Sequence, residues 1–147
     1  MTKNKYYPQI LVFLQFSLIA LIVFFSKGFF SNSLAIIIFI IGLLIGIWAL
    51  NYNKLGNFNI QPKLKEGSAL ITTGIYKYIR HPMYLSVLST MFSFVLSTAS
   101  LLEVLFFISL LVVLFLKAKL EESLWIKENT EYILYQKKSK LFLPFIL

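Results

Sequence analysis

Residues 33–50 read S-L-A-I-I-I-F-I-I-G-L-L-I-G-I-W-A-L, and no charged side chain interrupts them. A run of this kind is close to the ~20 apolar residues that a helix needs to cross a bilayer core. Its upstream neighbour, Pro8–Phe25, is interrupted only by Gln15 and Ser17. Downstream, Met83–Leu96 and Leu101–Leu116 are shorter, and the small link Ser97-Thr98-Ala99-Ser100 joins them as a helical hairpin, with Glu103 near its outer end. The pattern predicts an all-α, polytopic membrane protein with about four transmembrane helices in two hairpins, at 7–25, 33–50, 83–96 and 101–116. Within the second run, Gly42 and Gly46 form a small-xxx-small pair. It reads equally as close helix packing and as ordinary membrane glycine.

At 147 residues with 59% apolar side chains, the chain is read as a single membrane domain, 1–147. Cysteine is absent, which excludes a disulfide framework, thiol chemistry and cysteine-ligated metal. Aspartate is absent too, so the six glutamates are all the side-chain carboxylates there are. With one histidine beside them, no metal site is expected. Cleavage of a signal peptide is not expected either, because the first run lacks a small-residue cleavage site and leads into another span.

The net charge of +8 would suit nucleic acid, but its distribution argues against that partner. Lys3 and Lys5 precede the first span, while Lys54, Lys63, Lys65, Lys77 and Arg80 lie between the second and third. Six lysines follow the fourth, and Lys27 alone falls on the other side. The positive-inside rule then puts both termini and the 51–82 loop in the cytoplasm, with the basic surface facing anionic membrane lipids. Apolar patterning does not fix the oligomeric state, since helix-packing and lipid-facing surfaces are both apolar.

In the loop, Leu55–Pro62 reads as turn chemistry with apolar anchors. Leu70-Ile71-Thr72-Thr73-Gly74 is a short β-branched piece ending at a glycine that tolerates positive φ. Pro82 suits the first turn of a helix, where its missing N–H costs nothing. The tail, 117–147, is expected to carry a cytoplasmic amphipathic helix over Ala118–Lys140, acidic early and basic late as the helix dipole favours. Leu120, Leu124, Tyr132 and Tyr135 would share its apolar face. Asn129-Thr130 is where that helix would divide, asparagine ending one half and threonine capping the next.

Chemistry concentrates at G-I-Y-K-Y-I-R-H-P-M-Y (74–84), which holds the chain's only arginine, Arg80, beside its only histidine, His81. A cation on lipid phosphate within a belt of interfacial tyrosines accounts for this composition. Yet every other basic residue is lysine, and a lone arginine suits planar, bidentate recognition of carboxylate or phosphate. Glu121-Glu122 follow the fourth span and so share the membrane face of Arg80. They read as helix charges paired with Lys117 and Lys119, or as one carboxylate turned into a pocket while its neighbour faces away, about 100° round the helix. A buried glutamate needs a cationic partner, from Arg80 or from a ligand ammonium. Tyr76, Tyr78, Tyr84, Tyr132 and Tyr135 are interfacial aromatics or, in part, faces for an adenine or a cation. No dinucleotide fingerprint, P-loop or nucleophile–base signature is present.

Taken together, L-I-T-T-G-I-Y-K-Y-I-R-H-P-M-Y (70–84), E-E-S-L (121–124), E-Y-I-L-Y (131–135) and Pro144 resemble the isoprenylcysteine carboxyl methyltransferase family and its relatives among phospholipid methyltransferases. The resemblance covers roughly Leu55–Pro144. It implies an integral-membrane methyltransferase that uses S-adenosylmethionine, with a cofactor pocket in the C-terminal half at the cytoplasmic face and no Rossmann domain. By position it implies cofactor contacts from His81, Pro82 and Tyr84 and from the 70–78 backbone, including Leu70, Thr72, Gly74, Tyr76 and Tyr78. Glu122, with Glu121, would bind the amino-acid end of the cofactor, and Arg80 would lie near the reacting centre or a carboxylate.

Methyl transfer from a sulfonium is an in-line displacement, so the protein positions the partners and excludes water, and needs no covalent nucleophile. A carboxylate acceptor needs no base, and Arg80 would orient it. An amine acceptor must lose a proton, and Glu122, His81 and Tyr132 are the candidate bases. Catalytic roles are therefore expected of Arg80, Glu122 and Tyr132, on a lipidic or amphiphilic acceptor that enters between helices. The competing readings are an NADPH-dependent membrane reductase of related architecture and a non-enzymatic membrane scaffold.

Overall fold

A computed structural model describes residues 6–53 and 69–143. The turn expected at Leu55–Pro62, together with Lys3, Lys5, Lys54, Lys63, Lys65 and Pro144, lies outside these residues. The described chain is all-α. Helix α1 covers Tyr7–Phe25, α2 Ser33–Tyr52, α3 Pro82–Thr98, α4 Leu101–Glu128 and α5 Glu131–Lys138. Among the described residues, 3-10 turns also cover Phe29–Ser31 and Gly74–Lys77. Helices α1, α2 and α4 are long and apolar enough to cross a membrane. The 17 residues of α3 make a shorter apolar helix, at the lower limit for a span. The protein is a polytopic membrane protein.

Local sequence explains the helix ends. Pro8 and Pro82 each stand in a first turn. Asn32 caps α2, its side chain accepting from the Ala35 N–H at 3.1 Å. At the turn after α3, Ala99 adopts the left-handed conformation with φ 50°. Glu103 is buried in the first turn of α4, where the helix dipole favours a carboxylate.

The C-terminal region departs from expectation in one respect. Lys117–Glu128 is no separate tail helix, because α4 runs unbroken from Leu101 to Glu128. Lysine, alanine, leucine and glutamate are all good helix formers, so charge at 117 marks a change of surroundings and not of backbone. Leu120 and Leu124 thus belong to α4, and Tyr132 and Tyr135 to α5. The break does fall at Asn129-Thr130, though the capping comes from asparagine. The Asn129 side chain accepts from the Glu131 N–H at 2.9 Å, and Thr130 makes no side-chain cap.

Helix α2 packs against α3 through small residues. Ala35, Gly42, Gly46 and Ala49 are its buried positions, and Ser86 donates to the Gly42 carbonyl at 2.7 Å. A Cβ on Gly42 would lie 2.8 Å from Thr90 Cγ2 and 2.9 Å from the Thr90 nitrogen, so backbone would have to move. The glycine pair thus serves close packing. Gly42→Val is expected to destabilise the fold by about 1–3 kcal/mol, whereas Leu44→Val on the exposed face should be near neutral. Thermal unfolding in detergent checks both.

On the other side, α1 presents Leu11, Gln15 and Ile22 as a buried stripe. Ile22 joins Leu88, Met91, Leu110, Leu114, Ala118 and Phe142 in the main core. Large apolar side chains such as Phe13, Phe24, Leu44 and Ile47 point outward, as lipid-facing positions should.

The two hairpins are tied together at one end by polar contacts. The Lys27 N–H donates to Thr98 Oγ1 at 2.8 Å, and the Ser26 and Ser97 hydroxyls lie 3.3 Å apart. At the opposite end, the segment before α3 pairs in parallel with the segment after α5. Arg80 N–H donates to Lys140 O at 2.8 Å, Lys140 N–H to Tyr78 O at 2.9 Å, and His81 N–H to Leu141 O at 3.1 Å. This pairing brings residues some sixty apart in sequence into one place.

Candidate functional site

The site is assembled where α3 begins, α4 ends and α5 folds back. Gly74 opens the approach with φ 60°, and a Cβ there would meet the Tyr52 ring at 2.6 Å. Only glycine fits both the conformation and the space. The following turn buries Ile75 and Tyr76 against Ala49 and Ile79. Pro82 then starts α3 and His81 takes its N-cap position.

Arg80 is held on three sides. Its Nε donates to Glu122 Oε1 at 2.5 Å. One terminal nitrogen donates to the carbonyls of Gln136, at 3.2 Å, and of Ser139. These carbonyls close α5, where a helix leaves its acceptors unbonded and favours a cation. Arg80 therefore ties α3, α4 and α5 together with charge-assisted bonds.

His81 stands between the two glutamates. Its Nδ1 is 3.4 Å from Glu121 Oε2 and its Nε2 is 3.7 Å from Glu122 Oε1. Nε2 is buried with no hydrogen-bond partner among the described residues. The ring stacks on Tyr84 at 5.4 Å and 5°, and Phe142 meets it at 6.2 Å. The Tyr84 hydroxyl donates to Glu121 Oε1. Both glutamates thus face the same cluster, because the His81–Tyr84 pair fills the angle between them. Glu122 is the more buried, at 3% side-chain exposure, and exposed Lys119 lies 3.4 Å from its Oε2.

Lys117 does not form a surface pair with Glu121. It is 2% exposed, its Nζ donates to Gln15 Oε1 on α1, and it lies 5.2 Å from the Tyr84 ring centre.

Tyr132 is buried, stacks on Trp125 at 6.0 Å, and lies near enough to feel the charges of Glu122 and Arg80. The Tyr135 hydroxyl donates to the Tyr76 carbonyl at 2.6 Å. Burial raises all three phenols, Tyr76 to about 12 and Tyr132 and Tyr135 further, so none ionises near neutral pH.

The structure therefore brings together Arg80, His81, Tyr84, Glu121 and Glu122, with Tyr132, Tyr135 and Tyr76 behind them. Gly74 and Pro82 shape the backbone. The side chains of Thr72 and Tyr78 point outward and Leu70 is half-buried at the edge of the described segment. Tyr78 contributes its carbonyl to the pairing with Lys140. Sequence reasoning missed Lys117, Trp125, Phe142 and the two carbonyls on Arg80. Gln15 left a signal, since a polar residue in a membrane span is costly and tends to face a functional interior. A backbone carbonyl leaves none.

Burial works against a charged His81, but Glu121 and Glu122 outweigh it and hold the imidazole pKa above its ordinary value. A raised folded-state value contributes stability below the unfolded pKa of about 6.5 and loses it as pH rises through the folded value. The melting temperature is expected to fall over that range in the wild type and to flatten in His81→Asn. Thermal melts across pH 5–9, roughly bracketing the histidine range, measure the difference.

A family model described as phospholipid methyltransferase matches residues 30–129, more than half of the chain. The match takes in all of α2, α3 and α4, with Arg80–Tyr84 and Glu121-Glu122 inside it. Helices α1 and α5 fall outside. Among curated proteins, none matches.

Proposed function

The chain belongs to the phospholipid methyltransferase family, and from that premise we propose that it transfers a methyl group from S-adenosylmethionine to a lipidic or amphiphilic acceptor. The observation that carries this reading is the buried meeting of Arg80, His81, Tyr84, Glu121 and Glu122 at one end of the membrane helices. The donor set fits the cofactor. Carboxylate oxygens suit its ammonium, and the faces of Tyr84 and Trp125–Tyr132 suit a sulfonium or an adenine ring. When bound, the cofactor supplies an electrophilic methyl group.

The chain's own residues orient and exclude water. Among the described residues, exposed Lys119 is the cation at Glu122 Oε2, so a cofactor ammonium can take that place. Arg80 is occupied by Glu122 and two carbonyls, which makes it a positioning residue for Glu122 and no longer the group that orients an acceptor carboxylate. Tyr132 stays protonated and serves as an aromatic wall, not a base. For an amine acceptor, the unbonded Nε2 of His81 is the proton acceptor, and the flanking Glu121 and Glu122 carboxylates, which outweigh burial and raise its pKa, favour the proton's arrival there. The distribution of basic residues supports a cytoplasmic site with both termini on the same side.

Titration of the purified protein with S-adenosylhomocysteine and, separately, with NADPH tests the assignment. Saturable binding of S-adenosylhomocysteine and none of NADPH is expected. NADPH preference would support the reductase reading, and binding of neither would leave the scaffold.

A further inference from the structure

Lys117 is a buried cation that the proposed chemistry does not use. A lysine inside a membrane protein is costly unless its charge is met from several sides. Groups on α1, α3 and α4 meet this one. Gln15 accepts a hydrogen bond from Nζ, the Tyr84 ring lies 5.2 Å below it, and Glu121 stands one helical turn further along α4. Tyr84 in turn donates to Glu121 and stacks on His81. The contacts form a continuous path from α1 through Lys117 and Tyr84 to Glu121 and His81. Its first member, Gln15, precedes the residues that the family model matches.

We propose that Lys117, held by Gln15, is a positioning residue for the cofactor site, so that α1 is part of the site's framework and not only a membrane anchor. The inference deepens the S-adenosylmethionine reading and rests on it. A cation over the Tyr84 face is attracted to the ring and strengthens the hydroxyl as a donor toward Glu121. The Glu121 carboxylate and the His81 ring are thereby fixed before the cofactor arrives, which lowers the cost of ordering them on binding.

The test is calorimetric titration of the full-length protein in detergent with S-adenosylhomocysteine. Lys117→Met keeps the apolar stem and removes the charge, and is expected to weaken binding about tenfold. Lys117→Arg keeps a cation and a donor and is expected to stay within about threefold of the wild type. Introduced into Tyr84→Phe, which already lacks the hydroxyl, Lys117→Met should add less than about twofold, because both act on Glu121. On the α1 side, Gln15→Leu is expected to weaken binding by about threefold.

A lysine that only fills space would give the reverse order, with methionine tolerated and arginine not. That order, equal losses from Lys117→Met in both backgrounds, or unchanged affinity in Gln15→Leu would each overturn the inference. Undiminished binding in Lys117→Met overturns it while leaving the cofactor reading intact. Absence of binding in the wild type removes the cofactor reading, and this inference with it.

Discussion

Arg80→Ala is expected to lower the stability of the C-terminal half by about 3–5 kcal/mol and to abolish measurable binding of S-adenosylhomocysteine. The reason is what the substitution leaves behind. Glu122 would keep a buried carboxylate with, among the described residues, exposed Lys119 and His81 as its remaining charged neighbours. The Gln136 and Ser139 carbonyls would lose their side-chain donor, leaving the backbone pairing of 78–81 with 140–141 to hold α5 to the start of α3. Arg80→Lys should recover part of the stability but little of the binding, since one ammonium cannot reach Glu122 and two carbonyls in a fixed fork. Circular dichroism melts with parallel calorimetry check both variants. A basic residue whose task is contact with lipid phosphate would tolerate lysine without loss.

Glu122→Gln is the second large effect. The amide keeps the volume and one acceptor but removes the charge that faces Arg80 and His81. A hydrogen bond to a charged group contributes about 1.5–3 kcal/mol, so affinity for S-adenosylhomocysteine is expected to fall between about tenfold and a hundredfold. The fold should survive, because the guanidinium retains two carbonyl partners. Wild-type affinity in Glu122→Gln would remove this residue from the cofactor site. The pH dependence should change as well, since His81 loses one of the two carboxylates that hold its pKa up.

Much of the architecture was legible in the chain because a bilayer imposes one length on every span. The uncharged run 33–50 and the near-uncharged run 8–25 lie within α2 and α1. The end of α4 was not legible in the same way. Lys117 marks a change of surroundings, while the backbone continues as helix for three further turns. For the site, the adjacency of Arg80 and His81 and the doublet at 121–122 singled out side chains that the structure brings into contact.

What each residue touches was harder to read. Helix geometry argued that one glutamate of the doublet should face away, but His81 and Tyr84 fill the angle and meet both. The engagement of Arg80 with α5 depends on carbonyls, which every residue carries and no sequence distinguishes. Lys117 looked like the i,i+4 partner of Glu121, and only the approach of α1 turns it inward to Gln15.

The most direct measurement of the central claim is mass spectrometry of membrane lipids and small amphiphiles after incubation of the purified protein with methyl-labelled S-adenosylmethionine. The account predicts a labelled lipidic product, heavier by one methyl in place of one hydrogen, that forms with the wild type and not with Arg80→Ala. If the acceptor is an amine, the initial rate should also rise as pH climbs through the raised pKa of His81, where Nε2 loses its proton. No labelled product from a wild-type protein that is folded and supplied with total membrane lipid would contradict the account, as would equal labelling by Arg80→Ala.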